Sequence, residues 1–449
     1  MNITFEKTGN VTGVLTLNIE KADYEANVKK GLQNAQKKVQ MPGFRPGHVP
    51  AGMVKKMYGT QIKAEEVQKL ISEKLYAYIQ ENNLDVLGEP IAHDDQVDIE
   101  KDENFVLHFD LGLSPEMNIE LSSNDTVDYY DINVTAEMVD AQVKRMAQQA
   151  GHPENVQSYE ERDILRGILA QLDENGQPVE GGIVIESASL MPTYFKNDEQ
   201  KALFNGAKVN DILVINPSKA YEGNDAEVAS LLKVKKEEVA QYTGNFSFQV
   251  NEISRFVPAE INQDFFNAVF GEGEVEGEEA FRAKVQEGIQ AQHVLDSDYK
   301  FLLDLRAYCE AKVGEVEFPN EVLKKVMLNN NKEKGEAYVE EHFAASINEL
   351  KWHLIKEKLV KANDIKLEQA DVKAAAVEAA RMQFAQYGMN NVPVEYLENY
   401  AEEMLKNKQQ AQQLIERSIE TKLVAALKNV LNLNHKAVSA EEFAKLFEN

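Results

Sequence analysis

Residues 42–50 read Pro42-Gly43-Phe44-Arg45-Pro46-Gly47-His48-Val49-Pro50. Glycine at 43 and 47 opens backbone shapes closed to other residues. Three prolines stiffen the segment and lower the entropy lost on docking. With helical sequence on both sides, the segment is expected to form a tip that presents Phe44 and Arg45 together. An aromatic ring beside a guanidinium suits a mixed protein–RNA surface, where the ring fills an apolar niche and Arg pairs with phosphate or carboxylate. A structural turn with Phe44 tucked into the domain core is an equally open reading.

The flanks carry a charge anomaly. Between Lys21 and Lys63 stand nine basic residues (Lys21, Lys29, Lys30, Lys37, Lys38, Arg45, Lys55, Lys56 and Lys63) against two acids, Asp23 and Glu25, in a chain of formal charge −27. The whole chain repels phosphate, so contact with RNA has to come from this patch, by counterion release that weakens with salt. The competing reading is a solvated helix face.

Working outward, residues 1–20 alternate like strands, a helix opens near Lys21 with Tyr24, Val28 and Leu32 on one stripe, and a second carries Val67, Ile71, Leu75 and Ile79. Strand-like sequence returns from Val97 to Leu113, so residues 1–113 read as a small α+β domain. Residues 114–150 read as a linker and the start of a helical body, with a helix at Ala136–Gln149 and a boundary at Gly151-His152-Pro153. Residues 151–255 hold short β-rich pieces such as Ile212-Leu213-Val214-Ile215, the pattern of a mostly antiparallel domain. Residues 256–449 turn helical, with two arms expected at roughly 320–360 and 366–431, joined near Ala362-Asn363-Asp364. The fold class is therefore multidomain α+β: a small α+β N-terminal domain, a β-rich middle domain and an all-α, two-armed C-terminal domain.

A hydrophobic fraction of 43% marks a folded chain. No basic segment followed by an apolar run opens the sequence, and no run of about 18 apolar residues appears, so no membrane association and a cytoplasmic location are expected. The lone Cys309 shares a helical face with Leu302, Leu305 and Val313 and reads as a core thiol. The eight histidines are scattered without ligand spacing, phosphate loops and nucleophile elbows are absent, and the acidic run 271–279 reads as a solvated linker. No metal and no cofactor is expected, and catalytic residues stay unassigned.

The loop closely resembles the signature with which trigger factors bind the ribosome, and the likeness continues through Tyr58-Gly59 and Leu87-Gly88-Glu89-Pro90. At lower specificity it extends to Asp173–Gly182, similar to the family's FKBP-like prolyl isomerase domain, and to Phe318-Pro319-Asn320, Tyr387-Gly388 and Glu420-Thr421-Lys422-Leu423 in the two-armed body. The resemblance implies an ATP-independent chaperone of nascent or unfolded polypeptides that docks on the large ribosomal subunit near the peptide exit, touching protein and rRNA. A homodimer off the ribosome stays open.

Docking would use Gly43, Phe44, Arg45, Pro46 and Gly47 with Lys37 and Lys38. Where the family usually has Lys-Gly-Lys, this chain has Pro46 and His48 around Gly47, so Phe44, Arg45 and the flanking lysines are expected to carry more of the contact. Dispersed Met382, Phe384, Tyr387 and Met389 are client-binding candidates because soft apolar side chains repack around many sequences. Ordinary arm packing explains them almost as well.

In the middle domain, Gly167 and Ile168 stand where the family has Asp and an aromatic, and Met191-Pro192-Thr193-Tyr194-Phe195 only approximates its Pro-Gly-Phe-Glu stretch. A degenerate isomerase that still holds peptide is expected, with Tyr194, Phe195, Phe204, Tyr221 and Phe248 as pocket or core residues. The rival readings are a free-standing prolyl isomerase whose helical parts recruit substrate, and a periplasmic holdase, which the absent signal sequence disfavours.

Overall fold

Residues 12–19 alternate half-buried and buried, because a pleated strand points successive side chains to opposite faces. In the computed structural model this strand (β2, Thr12–Ile19) lies between β1 (Asn2–Lys7) and β4 (Phe105–Gly112), with the short β3 (Ile91–Ala92) beyond β4. All pairings are antiparallel. Every residue is described except Met41, Gly43, Pro46, Gly47, Gln96, Ile99, Glu100, Gly388, Asn390, Asn391 and Asn449.

The chain forms two compact units, one of Met1–Tyr130 with Ser297–Lys436, the other of Asp131–Asp296 with Ala437–Asn449. In the first, Leu15, Leu17 and Ile19 of β2 pack with Val67, Leu70 and Leu75 of the long helix α2 (Ala51–Glu81) and with Tyr24 of α1 (Lys21–Lys38). A second core joins residues distant in sequence. Met117, Val127 and Tyr129 are buried with Phe301, Leu305 and Cys309 of the helix Gly277–Val313 and with Trp352, Ile355, Leu423 and Leu427. Cys309 is fully buried, and burial pushes its thiol up to about 12, so it is an inert core residue.

The helical half of this unit is more segmented than its periodicity suggests. The first arm breaks into Asn320–Asn330 and Gly335–Ala362, with Gly335 at a positive φ of 74° that glycine adopts without strain. The second is three helices, Gln369–Gln386, Val394–Lys406 and Lys408–Leu427. Pro393 precedes the middle one, and Asn407 caps the last by accepting from the backbone N–H groups of Gln409 and Gln410 at 3.0 and 3.2 Å. Small side chains, Ala376 and Ala401, let these helices approach closely around Leu414. Lys356, buried, ties the two arms by donating to Glu416 at 2.7 Å and Glu420 at 2.9 Å.

The second unit holds a five-stranded antiparallel sheet. Its long strand Phe246–Val257 is flanked by Ile164–Gln171 on one side and by His152–Val156 and Ile212–Ile215 on the other, with Val184–Leu190 beyond Ile164–Gln171. Arg255 grips the buried Asp163 through two donors at 2.9 and 2.8 Å. A separate helical core stacks Phe266 on Phe281 at 4.5 Å. Val275, inside the acidic run read as a solvated linker, is buried in that core, and Gln263 donates to its carbonyl at 2.6 Å. Among the described residues, no helix is long and apolar enough to cross a membrane.

In the first unit, Asp125 fastens residues 122–125 to the helix Gly277–Val313. It accepts from Lys312, from the Tyr308 hydroxyl at 2.6 Å and from the Ser122 N–H at 2.8 Å. The Lys312 hydrogen bond, then that from Tyr308, holds its carboxyl well below the usual range against the opposing pull of burial. A depressed carboxylate contributes stability that is present above its unfolded pKa and is lost as pH falls through the folded one. Asp125→Asn should therefore cost about 2 kcal/mol at neutral pH, the worth of hydrogen bonds to a charged group, and should cost much less in acid. Thermal melts at both pH values check this; an equal loss in each would overturn it.

Candidate functional site

The helices α1 and α2 position the tip. Helix α1 starts at a capping box, in which Asp23 accepts from the Glu20 N–H at 2.7 Å, and Asp23 is also clamped by the Met1 ammonium at 2.6 Å. Gly31 lets the two helices meet: a Cβ there would lie 2.7 Å from Ile62 Cγ2, and a β-branched side chain has little room to yield. Past the tip, Val49 is completely buried, and its carbonyl accepts from Gln36 Nε2 at 2.6 Å. That anchor holds the end of the segment, and nothing in the composition of residues 42–50 singled it out.

Phe44 is 39% exposed and Arg45 is exposed, so the ring does not sit in the core. The Arg45 carbonyl accepts from the His48 N–H at 3.0 Å. Gly43, Pro46 and Gly47 lie outside the described residues.

The nine basic residues divide. Lys21 pairs with Glu103 at 2.7 Å, while Lys63 donates to the Asp102 carbonyl at 2.6 Å and lies over the Tyr24 and Phe105 rings, so these two serve the domain itself. Lys29, Lys30, Lys37, Lys38, Arg45, Lys55 and Lys56 are exposed, and among the described residues none of the seven has an ion-pair partner. Lys37 and Lys38 also offset the negative end of α1, whose last turn they occupy. Helix α2 begins beside the tip with no acidic residue in its first turn, so its positive end adds to the patch. Met53 and Met57, spaced by four on α2, are 42% and 56% exposed and extend the apolar part of the surface begun by Phe44. Their i, i+4 spacing beside Lys56 was the available signal.

The client-binding candidates separate in the same way. Phe384 packs edge-on against Tyr400 at 5.3 Å, joining the helices Gln369–Gln386 and Val394–Lys406, and Met382 is half-buried. Tyr387 and Met389 are exposed, as are Val394 and Tyr396 at the start of the next helix.

In the middle domain, Phe195, Phe204 and Phe248 are buried and pack on one another, with centroids 5.7 Å apart for Phe195–Phe204 and 6.3 Å for Phe204–Phe248. Tyr221 adds an edge contact to Phe195 at 5.1 Å, whereas Tyr194 points outward. Four of the five aromatics thus fill the interior. Gly167 sits where the strand register slips, and a Cβ there would fall 1.9 Å from the Gln249 carbonyl oxygen. The backbone of the neighbouring strand Phe246–Val257 therefore excludes any side chain at the position aligned with the family's Asp.

Comparison with known proteins covers most of the chain. The family model described as bacterial trigger factor protein matches residues 1–146, that of the probable trigger factor FKBP-like domain matches 153–258, and that of the probable trigger factor C-terminal domain matches 297–447. A trigger factor of Hahella chejuensis is 26% identical over 65% of this chain and 62% of its own length, so the match spans just under two thirds of that relative. One from Chlorobaculum tepidum is 25% identical over 80% and 82%, and one from Salinibacter ruber is 22% identical over 92% and 91%. A solved structure of the trigger factor chaperone, 16% identical, is covered over 99% of its length by 95% of this chain, with a TM-score of 0.48.

Replacing Gly167 by Asp should destabilise the middle domain by about 3 kcal/mol, the scale of forced overpacking. A melt of Gly167→Asp that superimposes on the wild type would refute the close approach.

Proposed function

We propose a division of labour for this chain, which belongs to the trigger factor family and is a ribosome-associated chaperone: residues 1–113 dock, residues 256–449 hold unfolded polypeptide, and residues 151–255 add a peptide-binding module, with 114–150 linking them. The docking site is the tip. Its support is one observation, the exposed Phe44 and Arg45 amid lysines that have no acidic partner among the described residues. Such a surface is drawn to phosphate, which the acidic rest of the chain repels. We assign the large ribosomal subunit near the peptide exit, protein and rRNA together, as its target, and the cytoplasm as its location. Off the ribosome, a homodimer that covers Phe44, Met53 and Met57 would keep the same apolar surface from water.

Client binding falls to Tyr387 and Met389, joined by Val394 and Tyr396, because these side chains are exposed while Met382 is half-buried and Phe384 is spent on packing. No nucleotide is needed: weak contacts release as the client folds. The middle domain holds peptide without effective isomerisation. Twisting an X–Pro amide over a barrier of roughly 18–20 kcal/mol needs an open aromatic pocket, and here four candidate rings fill the core. A free-standing prolyl isomerase is accordingly the weaker reading.

Ribosome co-sedimentation tests docking. Wild type should pellet at low salt and release steeply as salt rises, while Phe44→Ala/Arg45→Ala should bind about thirty-fold more weakly, the loss of a ~2 kcal/mol hot spot. Equal pelleting of the two would sink the assignment.

Refolding of a proline-limited client tests the rest. Tyr387→Ser/Met389→Ser should lower the soluble yield, and the slow phase should run at the uncatalysed rate with every variant. A full yield, or a wild-type chain that accelerates the slow phase, would count against the division.

A further inference from the structure

The edge of the N-terminal sheet carries a feature that neither docking nor client binding uses. The ladder between β3 and β4 pairs Ile91 with Asp110 and Ala92 with Phe109, and it continues where the His93 N–H donates to the His108 carbonyl at 2.9 Å. His93 and His108 are thus direct cross-strand partners on one face, their rings stacked with centroids 5.8 Å apart. Asp110, two residues beyond His108, shares that face.

Two carboxylates bracket the imidazoles. Asp95 accepts from the His108 N–H at 2.7 Å and lies 2.9 Å from His108 Nδ1, while Asp110 lies 2.7 Å from His93 Nε2 and accepts from Lys325 Nζ at 3.3 Å. One ligand atom from each of His93, Asp95 and His108 falls within 4.8 Å of the other two. Tetrahedral coordination at about 2.0–2.1 Å brings ligand atoms to within roughly 3.5 Å, a contraction that small side-chain rotations supply. Both rings are partly exposed, and His93 and Asp95 line an open cavity of about 250 Å³ with Val67, Ile71 and Phe105.

We propose that His93, Asp95 and His108 form a binding site for a divalent transition-metal ion of the zinc class. Two imidazoles and one carboxylate are the donor set such ions take, with a fourth position left to water. Asp95 is already oriented by a backbone N–H that a metal would not disturb, the outer-sphere support that ligating carboxylates need. Asp110 keeps Lys325 as its partner and flanks the ion rather than ligating it. On binding, each ligating nitrogen gives up any proton it carries, and coordination replaces the hydrogen bond made by that nitrogen. An ion here would pin residues 93–95, which follow the two-residue β3, onto β4. The competing account is a pair of His–Asp hydrogen bonds that only fastens the sheet edge.

The test uses the full chain, stripped with a chelator and titrated with zinc by calorimetry, and with cobalt followed by its visible absorption. One ion per chain and a tetrahedral cobalt spectrum are expected. His93→Gln and His108→Gln keep a hydrogen-bonding group of similar reach but are poor ligands, so each should weaken zinc binding by at least about ten-fold and remove the cobalt bands. Asp95→Asn should act alike. His152→Ala, which breaks the exposed pair of His152 and Glu154 elsewhere, should change nothing. Circular dichroism confirms that each variant is folded. Binding that survives both glutamine variants, or that fails to exceed background in the wild type, would overturn the site and leave the structural hydrogen bonds as the whole account.

Discussion

The first unit depends on one long-range burial. Met117, Val127 and Tyr129 are buried with side chains that arrive some 170 to 310 residues later, Phe301 and Leu305 on one helix and Leu423 and Leu427 on another. Burying a large apolar side chain is worth about 1.5–3 kcal/mol, so a handful of these contacts offsets the entropy of closing so large a loop, which grows only logarithmically with length. Polar clamps fix the register that apolar contact alone would leave loose. Asp125 takes Lys312 and Tyr308, and Asp298 takes the Tyr129 hydroxyl at 2.8 Å and Lys428 at 2.6 Å. With that core in place, α2 and the β-sheet need only a local core of their own to carry the tip.

Charge explains what packing does not. Across the chain acids outnumber bases, yet seven of the cations between Lys29 and Lys56 are left without acidic partners among the described residues. Pairing them would gain little locally, since surface ion pairs are worth at most about 1 kcal/mol. Leaving them open concentrates positive potential at one place, and the start of α2 adds to it rather than opposing it. The same economy appears at Lys356, where burial pulls the ammonium down but the hydrogen bonds it donates to Glu416 and Glu420 outweigh it and hold it above its usual value. There the charge serves the fold; at the tip it is left open to solvent.

Local signals were readable and non-local ones were not. Alternation in Thr12–Ile19 and the period-four stripe at Val67, Ile71 and Leu75 announce a strand and a helix because the burial they report is set by backbone geometry. The Gly- and Pro-rich stretch around Phe44 and Arg45 announces a break between α1 and α2, where both side chains are exposed. Burial of Val49, the bulge at Gly167 and the pairing of His93 with His108 are decided by residues brought from elsewhere in the chain, and spacing along the sequence carries no trace of them. The helical arms fall between: their periodicity is visible, but the breaks at 331–334 and at Pro393 depend on caps that a run of Glu, Lys and Ala obscures. Phe384 and Tyr387, three residues apart, show the limit plainly, since one is spent on packing and the other is not.

The hydrogen bond between Tyr129 and Asp298 has a consequence for how such a chain can change over time. It holds together the two points at which the polypeptide leaves the first unit, at Tyr130, and returns to it, at Ser297. The intervening stretch is an insertion whose two ends are already joined within the host unit. Its contents can drift, lose a pocket or be exchanged for another module without reopening the host core, and only the tail 437–449, which belongs to the inserted unit, has to change with it. A middle domain packed solid with its own aromatic rings is what such an insertion permits.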